Sequence, residues 1–421
     1  QKEKFRITTD GDVKIPNDNA KLYFGITDNM SLWFDGSNGR IDPGGSNVIF
    51  GTNAGRDLTT GVNNVLIGKD CAVNMENGNT NVALGYQTME QAISASYNMA
   101  LGSYCLAKTT DGAFNLAIGY GALYSSTSDD NNIAMGYNAG NKIDGGGHNI
   151  LIGSYAGKVI TTGEFNIGIG YNTLSSNTTR NSNVAIGYTS LQDNIDGYSN
   201  TAIGSETLKL NIDGAKNVAI GTAAAKNQLT SDGTTAIGYH ALTLSTGEGS
   251  TAIGNEVLAA NTTGVRNTGV GVWSLKTNQT GHYNTALGNR TGYNSTGDSN
   301  IFIGYGAGYR QTTCDDTLII DTVLRASASV EETNAIIYGI MGASPANQEL
   351  RLNANVYLKD DNRKLYFGLA DNASIEYDGT NLVIDAALVG TGTVVLKNLP
   401  TSATGLPTGG VWNNSGVLNI V

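Results

Sequence analysis

The sequence predicts an all-β, fibrous fold: a parallel β-solenoid, or β-roll, of about 16 coils with β-rich modules at both ends. Three observations carry this. A glycine returns every 17 residues from Gly51 to Gly238, then at Gly254, Gly271, Gly288 and Gly304, two of those last four steps being 16. The residues around each glycine keep their character, as in Asn183-Val184-Ala185-Ile186-Gly187 and Asn217-Val218-Ala219-Ile220-Gly221. All five prolines lie outside the array, because a continuous ladder cannot spare the N–H that proline lacks. A fixed short period marks a stack of like units, each covering its neighbour's apolar face.

The columns of the repeat define its parts. The residue before the glycine is apolar in all 16 copies, usually Ile, as at Ile118, Ile186, Ile203 and Ile220. Two before it stands a small residue, Ala in ten copies, and three before it a β-branched or otherwise apolar one. Four before it is Asn in 14 copies, among them Asn81, Asn115, Asn149, Asn183 and Asn217; Thr234 and Ser250 are the exceptions. Seven before it, 12 copies have a second Gly, and three and four after it come a small residue and often Leu. Such a unit is too short for a helix plus a strand, and no helical period of apolar residues occurs. The expected coil is a strand of about five residues, a glycine turn, a second short strand and a polar return. Stacked asparagines are expected to form an amide ladder.

The Val-Ala-Ile strand also bears on assembly. A strand with one face in water should alternate apolar and polar residues, yet here three successive positions are apolar or small. One face is expected to fill the coil, with Ile186 in the core, and the other to meet identical chains arranged in parallel around an axis.

Residues 1–45 form a separate module, 46–309 the repeat array, 310–358 a β-rich connector, and 359–421 a second module and tip. Lys21-Leu22-Tyr23-Phe24-Gly25 with Asp35-Gly36-Ser37-Asn38 returns as Lys364-Leu365-Tyr366-Phe367-Gly368 with Asp378-Gly379-Thr380-Asn381. Across residues 18–42 and 361–385, 15 of 25 positions are identical, so a duplicated module brackets the array as a pair of caps. The chain ends in an expected hairpin from Val411-Trp412-Asn413-Asn414 to Val417-Leu418-Asn419-Ile420.

Composition excludes several functions. A net charge of −11 with no Lys/Arg cluster disfavours nucleic acid, and no run of 18 apolar residues offers a membrane span. Cys71 and Cys105 share a column two coils apart and read as small interior residues; Cys314 is alone. His148, His240 and His282 fall in different columns, so no metal site is expected. The acid pairs Asp129-Asp130, Asp315-Asp316 and Asp360-Asp361 sit in turns, and neither a calcium-binding nonapeptide nor a phosphate loop is present. Tyr follows the glycine in seven copies and reads as packing between coils. No catalytic residue and no cofactor is expected.

The Asn-x-Ala-Ile-Gly array resembles the repeat of bacteriophage long tail fibre proteins and is similar to the β-roll head repeats of trimeric autotransporter adhesins. The flanking Lys-Leu-Tyr-Phe-Gly modules, and the ending Leu399-Pro400-Thr401-Ser402 … Trp412-Asn413, resemble phage fibre modules more closely. The resemblance implies a homotrimer, extracellular and part of a virion tail fibre, that spaces and presents a host-receptor-binding tip. Its partners would be itself, a host cell-surface glycan or protein, and other virion or filament subunits. Trp412, Asn413 and Asn414 are the expected receptor contacts, an aromatic flanked by amides. The alternatives are a bacterial surface adhesin or secreted filament of the same fold, and a tailspike polysaccharide hydrolase.

Overall fold

The structure, a computed structural model, describes residues 46–356 continuously. Outside them it describes Ser402, Thr404 and the strands Arg6–Ile7, Val13–Lys14, Lys21–Phe24, Met30–Phe34, Gly39–Asp42, Lys364–Phe367, Ala373–Tyr377, Leu382–Asp385, Val411–Asn414 and Val417–Ile420. The chain divides into two compact units, Gln1–Asn353 and Ala354–Val421.

The array is an all-β parallel solenoid with the expected period. Each coil contributes a three-residue strand such as Val184–Ile186. These strands pair in parallel and in register, Val48 opposite Val65, Val184 opposite Thr201 and Thr285 opposite Ile301. The strand Thr317–Ile320 continues the same register, with Ile301 opposite Leu318 and Ile303 opposite Ile320. The ladder therefore runs one strand past the last glycine of the pattern, with Asp321 standing where the next glycine would fall.

Within each strand only the middle residue enters the coil. Ala185, Ala202 and Ala236 are fully buried, whereas Val184 and Ile186 on either side are half-buried. Strict alternation explains this: the middle residue faces inward, Ala in most coils and Leu66, Leu151 or Phe302 in others, and both flanking residues must point out. The expectation that Ile186 belongs to the interior is corrected accordingly. Ile118 is likewise half-buried, and Ile203 and Ile220 are each 36% exposed.

Among the described residues, the second strand expected in each coil is absent. After Gly187 the chain passes through Thr189 and Leu191, with φ of 50° and 49°, and left-handed residues two apart curl the backbone too tightly to extend. The return side is still bonded from coil to coil. The N–H of Thr189 donates to the Tyr171 carbonyl and that of Leu191 to the Thr207 carbonyl, both at 3.0 Å, one toward the preceding coil and one toward the next. Backbone polar groups are thus satisfied without a second sheet.

A left-handed leucine is uncommon and costs about 1–3 kcal/mol. It recurs at Leu123, Leu191, Leu208 and Leu258, each fully buried. Full burial of a leucine side chain returns about 1.5–3 kcal/mol, which offsets the strain. At Gly187, with φ of 129°, a Cβ would stand 2.4 Å from the Gly204 carbonyl oxygen, so the beat of glycines is both a conformational and a packing requirement.

The C-terminal end of the ladder is closed by the connector. Ile337–Met341 pairs antiparallel with Thr317–Ile320, and Gln348–Leu352 pairs antiparallel with it in turn. In sequence, the helix Ala328–Asn334 lies between Thr317–Ile320 and Ile337–Met341, and its first turn is capped by the Ser327 hydroxyl accepting the Val330 N–H at 3.3 Å. The duplicated modules share one topology. Lys21 lies opposite Trp33 and Ser31 opposite Asp42; Lys364 lies opposite Glu376 and Ser374 opposite Asp385.

Candidate functional site

The Asn column is the internal spine. In each coil the Asn Oδ1 accepts the backbone N–H of its successor: Asn149 from Asn166 at 3.0 Å, Asn166 from Asn183 at 3.1 Å, Asn183 from Asn200 at 3.1 Å. The Asn Nδ2 donates to the carbonyl 14 residues on, Asn149 to Gly163 at 2.9 Å and Asn183 to Gly197 at 3.0 Å. Amide-to-amide bonds, the form expected for the ladder, occur at Asn81 to Asn64 (3.0 Å) and Asn149 to Asn132 (3.1 Å). Asn81, Asn115, Asn149, Asn183 and Asn217 are all buried. Where Asn is replaced, the Thr234 N–H still donates to Asn217 Oδ1 at 2.8 Å, and in the shortened coil Ser250 Oγ accepts the Asn267 N–H at 3.2 Å.

A second side-chain column, six residues before the glycine, was not anticipated. There Asp130 accepts the N–H of Ala113 at 2.6 Å and Asp232 that of Ala215 at 2.7 Å, and Asp315, six before the Asp321 that stands at the glycine position, accepts that of Asp298 at 2.7 Å. The turn acids therefore cap backbone groups of the preceding coil. Asp129 is buried, its carboxyl pushed above the ordinary carboxylate range by that burial, and it accepts the Gly145 N–H. Asp360 and Asp361 lie outside the described residues. The histidines stay apart. His148 stacks on Phe165, His240 leans on Tyr239, and His282 Nδ1 accepts the Val265 N–H at 3.1 Å. Among the described residues no group of three or more His, Cys, Asp or Glu could hold a metal ion, and no helix is long and apolar enough to cross a membrane.

Cys71 and Cys105 are buried, unpaired and inside the coil. Their thiols touch the carbonyls of Ala83 at 3.3 Å and Gly119 at 2.6 Å, and burial pushes them up to about 12 and about 11. Both replace the small interior residue of their column. Glu331 is a buried acid that the repeat pattern could not announce, since it lies on the closing helix. Its Oε1 accepts the Gly308 N–H at 2.6 Å, and burial raises its carboxyl to about 7.

Two outer surfaces among the described residues bear on assembly and binding. One is the pair of apolar columns flanking the buried alanines, with Phe50, Met99 and Leu101 at 50%, 47% and 44% exposure. The other is a column of tyrosines just past the glycines, exposed rather than packed inside: Tyr120, Tyr137 and Tyr188 are 49%, 45% and 56% exposed. Trp412, Asn413 and Asn414 lie in the strand Val411–Asn414, opposite Asn419, Leu418 and Val417 of Val417–Ile420, which establishes the closing hairpin. Their side chains lie outside the described residues.

Coil geometry and period together define a parallel β-solenoid repeat protein with a 17-residue period. No family model matches the chain, and neither the curated proteins nor the solved structures hold a match to it.

Proposed function

We propose that the chain is a structural and adhesive segment of a phage tail fibre, a homotrimer that spaces and presents a host-receptor-binding tip. The observation that carries this reading is the pair of half-exposed apolar columns. In-register stacking turns residues such as Ile186, Ile203 and Ile220 into one continuous strip along the ladder. A soluble single chain rarely leaves so large a contiguous apolar surface uncovered, and parallel identical chains cover it with the same strip of their neighbours. The resemblance of the repeat and of both flanking modules to phage fibres supplies the three-fold symmetry and the biological setting. The work is mechanical and adhesive: the spine sets length and stiffness, and three copies of the tip turn weak contacts into avidity.

Light scattering of the purified chain should give three times 43.9 kDa, about 132 kDa. A monodisperse single chain would refute the trimer. Removing residues 399–421 should abolish adsorption to host cells while the trimer persists, and deleting two whole coils, residues 183–216, should leave adsorption nearly intact. The opposite pair of results would move recognition from the tip to the array.

A further inference from the structure

Along seven successive coils, from Tyr86 to Tyr188, every coil places one tyrosine in a single column, with ring centroids 5.2 to 6.1 Å from one ring to the next. Five of these follow the glycine directly, while Tyr104 and Tyr155 sit one residue later. That shift turns them. Tyr120 and Tyr137 stack at 14° and Tyr171 and Tyr188 at 11°, whereas Tyr104 crosses Tyr86 at 89° and Tyr120 at 69°, and Tyr155 crosses Tyr137 at 79° and Tyr171 at 87°. Rings stacked along the column show their neighbours a face and show solvent an edge. A crosswise ring runs its plane along the column, so its faces turn away from the stacking direction.

Beside Tyr104 the wall is recessed because Gly121 carries no side chain in the next coil. The recess, about 260 Å³, is lined by Tyr104, Tyr120, Gly121, Tyr124, Asn138 and Asn141. Asn141 Nδ2 already donates to the Gly121 carbonyl at 3.0 Å and to Asn138 Oδ1 at 3.2 Å, so both amides are held in place at the rim. Ammonium groups stand over two rings, Lys158 at 5.0 Å from the Tyr155 centroid and Lys108 at 5.2 Å from that of Tyr124, so the Lys158 side chain swings aside when a sugar stacks on Tyr155. The column is finite: the coils after Tyr188 place Ser205 and Thr222 at its position.

We propose that this column is a binding groove for an extended oligosaccharide lying lengthwise along the coils. A pyranose has an apolar C–H face that stacks on an aromatic ring and a rim of hydroxyls that exchange hydrogen bonds with phenols and amides. Tyr104 and Tyr155 offer two such rings three coils apart, about 14 Å by the strand spacing. An extended glycan advances by roughly one coil per sugar, a match to the same spacing, so sugars three apart meet the two crosswise rings. Five tyrosine edges and hydroxyls run along the same line. The five tyrosines that follow the glycine directly keep 39% to 56% of their surface in solvent, more than packing coil on coil requires, while Tyr104 and Tyr155 are half-buried between them. This site is separate from the tip, and it does not depend on the fibre reading.

The test is calorimetric titration of the full-length assembled protein with four hexasaccharides: cellohexaose, chitohexaose, maltohexaose and hexagalacturonate. Saturable binding of at least one is expected. The double variant Tyr104→Ala with Tyr155→Ala should weaken it by about tenfold or more, the loss of two ring contacts. Tyr104→Phe with Tyr155→Phe should stay within about threefold, as should Tyr239→Ala with Tyr305→Ala, which lie outside the column. Binding that persists after removal of residues 399–421 and falls in the alanine pair places it on the column rather than the tip. Nitration by tetranitromethane gives a readout on the unmutated chain: the bound hexasaccharide should protect Tyr104 and Tyr155. The proposal is overturned by absence of binding to all four probes, by unchanged affinity in the alanine pair, by loss of binding with the tip, or by tyrosines shielded from nitration in the assembly without sugar.

Discussion

Replacing Asn149 by Ala tests the spine where its bonds are most numerous. The change leaves the buried Asn166 N–H without its acceptor at 3.0 Å and the Gly163 carbonyl without its donor at 2.9 Å. The N–H of residue 149 keeps its own bond to Asn132 Oδ1. Two orphaned buried groups cost about 1–3 kcal/mol each, so Asn149→Ala should destabilise the array by about 2–6 kcal/mol. Serine should cost roughly half as much, because Ser250 already accepts the Asn267 N–H through its hydroxyl and only the carbonyl is then left bare. Aspartate should be the worst of the three. It keeps the acceptor but sets a buried charge against the Gly163 carbonyl and Asn132 Oδ1. Urea unfolding reads the total, and hydrogen exchange at the Asn166 amide reads the site. A cost for alanine below about 0.5 kcal/mol, or aspartate tolerated better than alanine, would refute the account of the column.

Three further outcomes are expected. Burial raises the Glu331 carboxyl from 4.5 to about 7, so the folded state holds that proton more tightly than the unfolded chain does. The resulting stabilisation is complete below about pH 4.5 and disappears as pH rises through about 7, some 3 kcal/mol in all; Glu331→Gln should abolish that part of the pH dependence, and equal pH profiles for both proteins would argue against it. Cys71 and Cys105, with thiols raised to about 12 and about 11, should resist iodoacetamide in the native protein and react on unfolding; prompt labelling of both would contradict their interior placement. Ala185→Asp should unfold its neighbourhood by burying a charge, whereas Ile186→Asp, on the outer face, should chiefly disrupt association. Size-exclusion and circular dichroism together separate those two effects, and identical behaviour of the variants would mean that the inner and outer columns are misassigned.

Much of the fold was legible because its chemistry repeats. The glycine beat, the buried Asn column and the interior cysteines all follow from residue types that one requirement forces into one place. The second strand was misread because a left-handed backbone leaves no trace in sequence when Leu191 or Thr189, rather than Gly or Asn, adopts it. Ile186 was misplaced because an apolar run of three says that both faces avoid water but not which face is the inside. The acids of the return looked like ordinary solvated turn residues, and their hydrogen bonds to the preceding coil appear only once the coils are stacked. Burial of Glu331 depends on a helix folding back over the last coil, a contact with no period to betray it. The crosswise tyrosines illustrate the same limit: a one-residue shift at Tyr104 and Tyr155 reads as noise in the pattern, yet it reorients two rings.

The spine has a direction. In bond after bond the acceptor oxygen belongs to the earlier coil and the donor N–H to the one 17 residues later. A nascent chain leaving the ribosome therefore always presents a finished template to the segment that follows it. Each new coil closes a loop of the same modest length, whose entropic cost does not grow with the number of coils already laid down. Most β-proteins fold slowly because their strands must find distant partners; here the partner is always the strand just made. Added length then costs synthesis time rather than folding time, which lets a chain of this kind be lengthened coil by coil without becoming harder to fold.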